Sequence, residues 1–347
     1  MIISWNTTYE CNLRCKHCYR DAGEKRKGEL SEKEGFSLLE EIARAGFKIV
    51  IFSGGEPLLR GDIYELIAYA KSLRLRPVLG TNGTLLTKGV CEKLKVAGIE
   101  RIGVSIDSSD PSLHDEFRQK KGAYQSAIAG IESCKSANLE FQIHTTCMDF
   151  NEEDLERITD LAVSLGARAH HIFFVVSVGR ARAEYRIQNT EYRIQNLPEP
   201  RTPNPEPRIL AERYESILHR ILYKQKEVEI ELKPVCAPQF VRIAKEMGIK
   251  VRFSQGCLAG ISYCCILPEG DVYPCPYLPV KCGNIREKRF SEIWKESEVF
   301  NKLRNQNYSG KCGVCEYKKV CGGCRASSFQ YSGDYQASDP WCSYDTN

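Results

Sequence analysis

The chain has 347 residues, 42% of them hydrophobic, and carries 49 Lys and Arg against 45 Asp and Glu. This composition predicts a folded chain of one large or two smaller domains, and the net charge of +4 does not favour nucleic-acid binding. We expect a cytoplasmic protein, because the sequence has no apolar run of membrane-spanning length and its first residues do not resemble a signal peptide. Seventeen cysteines are many for such a compartment, and their odd number excludes complete pairing within the chain.

Strands and helices are predicted to alternate through the first half of the chain. Residues 1–5 are typical of a strand, and Ser31 and Glu34 form a capping-box pattern that begins a helix over 31–45. The apolar run 49–52 is typical of a buried parallel strand. Further helices are expected at 62–73, 88–97, 123–137 and 152–165, and further strands at 77–79, 101–106, 140–146 and 170–176. About six such units predict an α/β fold, either a barrel or a doubly wound sheet, with ligands at the carboxyl ends of the strands.

The alternation stops after residue 180. The hexapeptide EYRIQN occurs at 184–189 and again at 191–196, and a run of prolines follows. This pattern predicts a flexible insertion over 181–208, with a substrate lid as the less favoured alternative. We expect a helical connector over 209–250, with its helix at about 209–226, and a small cysteine-rich domain over 251–347 that needs metal for stability.

Cys11, Cys15 and Cys18 form a CxxxCxxC motif directly after the first predicted strand. Three thiolates can ligate three corners of a 4Fe–4S cluster and leave the fourth iron open for a small molecule. A structural zinc site would need a fourth ligand, and no other cysteine lies close in sequence. The motif therefore favours an iron–sulfur cluster with one open iron, and the cysteine content hints at anaerobic iron chemistry.

Three more motifs lie at or near the ends of successive predicted strands: SGGEP at 53–57, TNG at 81–83 and SID at 105–107. Glycines at such a position let the backbone approach a ligand closely. Together with the cysteine motif, these segments resemble the radical S-adenosylmethionine enzymes from residue 5 to about 179. The resemblance implies a partial (β/α)6 TIM-like barrel over 1–180.

The resemblance also implies the chemistry and the binding residues. The open iron would bind the amino and carboxylate groups of S-adenosylmethionine, and one electron from the cluster would release a 5′-deoxyadenosyl radical. The residues that would contact S-adenosylmethionine are Gly54, Gly55, Glu56, Asn82, Ser105, Asp107, Arg118 and His17. In this assignment the SGGEP backbone meets the amino group, the SID side chains reach the ribose, and Arg118 pairs with the carboxylate. His17 would pack near the adenine, and a solvated histidine beside the loop is the alternative.

The C-terminal segment 251–347 has ten cysteines, and eight of them are candidate cluster ligands. Its paired CxxC motifs would by themselves also fit a zinc ribbon. After such a barrel they resemble the SPASM domain, whose pattern implies two auxiliary 4Fe–4S clusters. One would use Cys257, Cys264, Cys275 and Cys324, and the other Cys312, Cys315, Cys321 and Cys342. The CGGC spacing is one residue shorter than the common pattern, so a single auxiliary cluster is the alternative, and Cys265 could replace its neighbour Cys264.

Several C-terminal segments, among them KPVCAPQF, KCGVCEYKKVCGGC and GDYQASDPWC, resemble the tetrapyrrole branch of SPASM enzymes. That branch includes the siroheme-dependent haem b synthases and the putative haem d1 biosynthesis proteins of the second type. The resemblance implies oxidative decarboxylation of two propionates of iron-coproporphyrin III to vinyl groups, with an auxiliary cluster taking up electrons. It also implies an external electron donor such as flavodoxin or ferredoxin.

The residues that would meet this substrate are predicted only from position. The preferred candidates are His171, Cys236 and Arg180; the others considered are His144, His170, Arg242 and Lys245. A sister reaction, removal of propionate or acetate groups from a siroheme derivative in a haem d1 or didecarboxysiroheme step, would use the same first radical step. A peptide-modifying enzyme and a non-catalytic iron–sulfur scaffold are the remaining alternatives, and the intact SGGEP and SID motifs argue against the scaffold.

Overall fold

The computed structural model describes residues 1–181, 207–253 and 255–346, so the predicted insertion with its repeat lies almost wholly outside the described residues. The strands are β1 (Ile2–Asn6), β2 (Ile49–Ser53), β3 (Arg76–Thr81), β4 (Arg101–Ser105), β5 (Phe141–Cys147), β6 (Ala169–Phe174), β7 (Glu231–Val235), β8 (Tyr263–Ile266), β9 (Asp271–Tyr273) and β10 (Gly283–Asn284). The helices are α1 (Glu32–Arg44), α2 (Ile63–Ser72), α3 (Lys88–Ala97), α4 (Pro111–Arg118), α5 (Ala123–Ser136), α6 (Leu155–Leu165), α7 (Pro207–Gln225), α8 (Gln239–Glu246), α9 (Phe290–Glu296), α10 (Glu298–Asn305), α11 (Gly310–Val314) and α12 (Arg325–Ser332).

The ten strands of the described residues form one sheet in the order β10-β9-β8-β1-β2-β3-β4-β5-β6-β7. Strands β1 to β7 pair in parallel with their neighbours, and β8 adds to the free side of β1, also in parallel. The expected α/β fold with a partial barrel is therefore confirmed. Because β8 lies in the segment predicted as the cysteine-rich domain, that segment continues the barrel sheet rather than standing apart from it.

The barrel has seven consecutive parallel strands where six were expected. The additional strand, β7, has the sequence ELKPV and lies inside the segment predicted as a helical connector. Its Pro234 cannot donate a backbone hydrogen bond, which argues against a central strand. The proline is tolerated because β7 is the edge of the sheet and pairs only with β6.

The predicted helices are largely present, with small differences at their ends. Ser31 and Glu34 form the expected capping box of α1. The helix expected from residue 152 begins with a 3-10 turn at Glu152–Asp154 and becomes α-helical at Leu155. Helix α4 was not predicted; it has only eight residues and depends on Asp110, whose carboxylate accepts from the backbone N–H groups of Ser112 and Leu113.

Side chains alternate between the two faces of β1, and this alternation decides what faces the site. Ile3 and Trp5 point outward into the main core between the sheet and its helices. Ser4 and Asn6 occupy the other face, toward the barrel interior, and both are buried. No helix among the described residues is long and apolar enough to cross a membrane.

Candidate functional site

The CxxxCxxC motif lies on a loop that follows β1 at the carboxyl ends of the strands. The loop is closed on itself, because the N–H of Cys11 donates to the carbonyl of Gly23 (2.8 Å) and the N–H of Gly23 donates to the carbonyl of Tyr9 (2.9 Å). Two of its sulfurs also accept backbone N–H groups: Cys11 Sγ from Leu13 and Cys18 Sγ from Ala22, both at 3.4 Å. Donors aimed at sulfur are typical of iron–sulfur sites, where they tune the cluster.

Gly54 and Gly55 of the SGGEP motif lie directly against the beginning of this loop. A Cβ atom on Gly54 would stand 2.6 Å from the carbonyl oxygen of Thr8, and one on Gly55 would stand 2.1 Å from that of Glu10. Gly54 also has φ +136, a conformation that only glycine adopts readily. The two glycines thus let β2 hold the backbone that leads into the cysteine motif, a role that the sequence analysis did not assign to them.

The Glu56 side chain caps the end of β3. It is fully buried and accepts hydrogen bonds from Thr81 Oγ1 (2.8 Å), the Asn82 backbone (2.9 Å) and the Leu58 backbone (3.2 Å). Burial raises the pKa of this carboxyl to about 7. Asn82 in turn donates to Asn12 Oδ1 (2.8 Å), so its side chain fastens the cysteine loop to β3.

Arg118 joins the cysteine loop to the SID motif. Its guanidinium lies 2.6 Å from Asp107 Oδ2, and another of its nitrogens is 3.7 Å from Cys15 Sγ. Burial alone would raise the pKa of Asp107, yet the Arg118 charge holds it below its usual range. Arg118 Nε is buried without a hydrogen-bond partner among the described residues. This charged, incompletely satisfied group fits an anionic ligand such as the carboxylate of S-adenosylmethionine.

His17 and Ser105 lie on the same side of the barrel mouth. The His17 ring stacks on Phe117, with 4.4 Å between centroids and 8° between planes. Its Nδ1 is buried without a partner among the described residues, which favours a packed position over a solvated one. Ser105 Oγ donates to the carbonyl of Thr81 (3.3 Å) at the carboxyl end of β4. The residues predicted for S-adenosylmethionine therefore lie at one edge of the sheet, on and beside the cysteine loop.

Arg180, which the sequence analysis expected near the substrate, has its guanidinium bound to the cysteine loop. Its guanidinium donates to the carbonyls of Cys15 (2.9 Å) and Ala22 (3.0 Å) and pairs with Asp21 (2.7 Å). Its backbone N–H donates to the carbonyl of Cys18 (3.0 Å). These contacts use the guanidinium to hold the cysteine loop, a positioning role that the sequence analysis did not assign, and the role of Arg180 in substrate binding stays a prediction.

The histidines of β5 and β6 divide between the two faces of the sheet. His170 points to the outer layer, where its ring nitrogens meet Thr159 (2.9 Å) and Thr145 (2.8 Å), so it is a satisfied core residue. His171 and His144 stack inside the barrel, with 5.4 Å between centroids. Lys233 pairs in register with His171 on the neighbouring strand β7. The interior therefore offers two imidazoles and, beside them, a lysine position that the sequence analysis missed because β7 was not predicted.

The other two cationic candidates lie away from the barrel interior. Arg242 is buried in ion pairs with Glu215 (2.5 Å) and Glu246 (2.8 Å). Lys245 lies over the ring of Tyr317 in the C-terminal segment. Both belong to α8, and the structure brings neither of them to His171.

Four C-terminal cysteines surround a single cavity: Cys312, Cys315, Cys321 and Cys342. Cys315 Sγ accepts the backbone N–H of Tyr317 (3.4 Å), and Cys312 Sγ accepts that of Asp339 (3.4 Å). Arg325 also approaches Cys312 Sγ at 3.5 Å, as Arg118 approaches Cys15. The thiols and their donors fit an iron–sulfur cluster, and they are the residues expected for one auxiliary site.

The second expected set is not brought together as a whole. Cys324 belongs to a small buried cluster at the C-terminal end of the barrel, and Cys275 packs against it. Cys264 pairs with Ile3 of β1, so its side chain points outward into the main hydrophobic core. This placement corrects the expectation that Cys264 joins Cys257, Cys275 and Cys324.

Cys265 does not take the place of Cys264. It points to the opposite face of β8, where its sulfur accepts from Asn6 Nδ2 at 3.0 Å. Burial raises the pKa of its thiol to about 11, and the charges of Arg20 and Glu269 also act on it. The alternative in which the two neighbours exchange roles is therefore not supported.

Among the described residues, no three Cys, His, Asp or Glu side chains converge closely enough to hold one metal ion. Thiolates around a 4Fe–4S cluster stand farther apart than ligands of a single ion, because four irons and four sulfides lie between them. The relevant arrangement is therefore a group of thiols around a common space.

Asp339 is a site residue that the sequence analysis missed. It is buried, and its Oδ2 accepts from the backbone N–H of Cys324 (2.5 Å) and from Gln239 Nε2 (2.8 Å). Its own N–H donates to Cys312 Sγ, so the residue touches both groups of C-terminal thiols. Its position three residues before Cys342 was the available signal, but one carboxylate in a polar segment is not distinctive.

Comparison with known families agrees with this geometry. The profile of the Radical SAM superfamily matches residues 5–162, and that of SPASM, an iron–sulfur cluster-binding domain, matches residues 257–325. The AdoMet-dependent heme synthase of Methanosarcina barkeri is 42% identical over 99% of this chain and 96% of its own length. The pre-heme d1 synthase of Dinoroseobacter shibae is 30% identical over 98% of this chain and 85% of its own length.

The crystal structure of Streptococcus suis SuiB has the same fold, with a TM-score of 0.72 at 18% identity over 98% of this chain and 76% of SuiB. The cysteine loop, the motifs at the strand ends and the relatives that align with almost the whole chain all indicate the same family. The chain therefore belongs to the radical S-adenosylmethionine superfamily and is an enzyme of its SPASM branch, with auxiliary iron–sulfur clusters beside the radical cluster.

Proposed function

We propose that the chain is a haem synthase that converts two propionates of iron-coproporphyrin III into vinyl groups. The observation that carries the proposal is the 42% identity to an AdoMet-dependent heme synthase over nearly the whole of both chains, against 30% to a pre-heme d1 synthase. Both relatives match the barrel and the C-terminal segment, where substrate and cofactors would be held.

The overall chemistry balances with the inferred cofactors. Cys11, Cys15 and Cys18 would hold the radical cluster, which with S-adenosylmethionine would supply a 5′-deoxyadenosyl radical able to take one hydrogen atom from the β-carbon of a propionate. The propionate then loses carbon dioxide and one electron, and the carbon–carbon double bond of the vinyl group forms. The auxiliary cluster sites in the C-terminal segment supply a place for that electron.

The chain's own residues contribute binding and orientation. Arg118, which approaches Cys15, and the backbone around Gly54 and Gly55 would fix S-adenosylmethionine. Inside the barrel, Gln142 Nε2 contacts one ring nitrogen of His144 (2.7 Å) and one of His171 (3.2 Å). The other nitrogen of each ring would serve a propionate carboxylate, and Lys233 lies beside His171 in register. His171 thus stays the preferred substrate residue, while the external electron donor, a flavodoxin or ferredoxin, and the cytoplasmic location remain predictions.

The test is an anaerobic reaction of the reconstituted protein with S-adenosylmethionine, dithionite and iron-coproporphyrin III, followed by mass spectrometry. We expect a product that has lost two carbon dioxide units and gained two vinyl groups. Cys15→Ala should abolish the reaction, whereas Cys91→Ala, which changes a cysteine buried in the helix layer, should retain it. Cleavage of S-adenosylmethionine without any change in the porphyrin would contradict the proposal, and turnover of a siroheme derivative instead would establish the sister reaction.

A further inference from the structure

Three thiols of the second auxiliary set, those of Cys257, Cys275 and Cys324, lack the fourth partner that the cysteine spacing suggested. A cluster held by three thiolates keeps one iron open, whereas four thiolates close it. The identity of the fourth group therefore decides whether this centre can bind a further small molecule or only accept and pass on electrons.

Cys236 packs against the same small buried cluster as Cys275, the cluster to which Cys324 belongs. It lies between β7 and α8, and its carbonyl accepts from the hydroxyl of Tyr214 (3.2 Å). Cys324, Cys275 and Cys257 are the charged groups near enough to act on the Cys236 thiol, so the four sulfurs lie in one region of the structure.

The segment after Cys236 is also fastened to the segments that carry the other thiols. Pro238 lies so close to Gly256 that a Cβ atom on the glycine would stand 2.6 Å from the Pro238 Cβ, and Gly256 directly precedes Cys257. Gln239 and the backbone N–H of Cys324 both donate to the same carboxylate oxygen, Oδ2 of Asp339. Two independent contacts thus fix the loop of Cys236 against the other thiol-bearing segments.

The backbone at Cys236 adopts a conformation that is unfavourable for a residue with a side chain. Its φ is +63, in the left-handed region that non-glycine residues seldom adopt. Glycine would be the easier residue here, so the thiol side chain is retained against a conformational penalty. Cys264, by contrast, points into the main core on β8, where the charged groups that act on it are Cys265, Cys282 and Arg304.

We propose that Cys236 is the fourth thiolate of the auxiliary 4Fe–4S cluster held by Cys257, Cys275 and Cys324. With four thiolates this centre has no open iron, and it serves electron transfer rather than substrate binding. The assignment replaces the expected substrate role of Cys236. It rests on the iron–sulfur cofactors of the proposed enzyme and does not depend on which tetrapyrrole is the substrate.

The experiment compares Cys236→Gly with Cys264→Ala in the full-length protein, purified and reconstituted anaerobically. Cys11, Cys15 and Cys18 are changed to Ala in the parent as well, so that only the auxiliary clusters contribute to the iron content and the EPR spectrum. Glycine removes the thiol and at the same time suits the left-handed backbone, so a misfolded loop does not explain a loss of iron. Cys236→Ser is the second variant, since it keeps a weaker oxygen ligand at the same place.

We expect Cys236→Gly to lose about four irons and four sulfides per chain, or to keep a cluster whose reduced EPR spectrum and midpoint potential differ from those of the parent. Cys236→Ser should show the smaller change, and Cys264→Ala should match the parent. An unchanged iron content, spectrum and potential in Cys236→Gly would overturn the assignment, as would loss of the cluster in Cys264→Ala alone. These readouts require no porphyrin turnover, so the ligand assignment and the proposed function can fail separately.

Discussion

Arg180 offers the sharpest test of the structure against the sequence, because the two assign it different roles. In Arg180→Met the cysteine loop would lose the guanidinium hydrogen bonds to the carbonyls of Cys15 and Ala22. Hydrogen bonds from charged donors contribute about 1.5–3 kcal/mol each. The pair with Asp21 adds little, since the Asp21 side chain is 64% exposed. With Arg180 itself partly exposed, the substitution should lower the free energy of loop opening by about 2–4 kcal/mol.

The assay is hydrogen exchange on the iron-free protein, where no cluster ties the three cysteines together. A decrease of about 2–4 kcal/mol predicts exchange that is about 30- to 900-fold faster across residues 9–24, with the core strands unaffected. The matched control is Arg44→Met, which breaks exposed ion pairs on α1 and should leave this loop unchanged. If exchange in the loop stayed at the parental rate while the KM for the porphyrin rose, Arg180 would be a substrate residue and the structural reasoning would be refuted.

Three further predictions concern buried carboxylates. Glu56 keeps its proton up to pH about 7 in the folded chain, so its contribution to stability is complete below pH about 4.5 and is lost as the pH rises through 7. Between pH 5 and 8 the unfolding free energy of Glu56→Gln should therefore rise by up to about 3 kcal/mol relative to that of the parent, measured anaerobically. A difference between the two proteins that does not change with pH would contradict this. Arg118→Met should lower the unfolding free energy by about 3–5 kcal/mol, because it leaves Asp107 buried and unpaired. Adding Asp107→Asn to the same chain should recover part of this loss. If the costs of the two substitutions simply add, the two residues are not coupled. Asp339→Asn should raise the reduction potential of the auxiliary centres in an EPR-monitored titration, unlike the exposed control Asp334→Asn.

The radical site was predictable because parallel strands place their carboxyl ends at one edge. Once the strands of the first half were recognised, the cysteine loop and the SGGEP and SID motifs had to lie near one another. The positions of charged partners were less predictable. Arg180 was recognised as a cation near the barrel mouth, but sequence alone does not show that the carbonyls of the cysteine loop already use its guanidinium.

The auxiliary ligands were harder to predict, since spacing does not reveal which face of a strand a side chain occupies. Cys264 and Cys265 are neighbours in sequence, yet the pairing of β8 with β1 directs them to opposite sides of the sheet. That pairing joins residues about 260 positions apart in the chain, and no local pattern specifies it. Cys236 was predicted to meet the substrate rather than a cluster for a related reason: it follows β7, a strand that its proline hid from the sequence pattern.

The two well-defined thiol sites share an electrostatic arrangement although they are built from unrelated segments. In the first, Arg118 approaches Cys15 and is held by the buried carboxylate of Asp107. In the second, Arg325 approaches Cys312, with the carboxylate of buried Asp339 acting on its charge. Buried thiolates repel one another and require a nearby positive charge, because low dielectric strengthens every such interaction. A guanidinium suits this position, since it stays charged at any accessible pH and can contact a sulfur and a carboxylate at once. The carboxylate orients the arginine but also cancels part of its charge, so its removal should make a cluster easier to reduce, which is the physical basis of the prediction for Asp339.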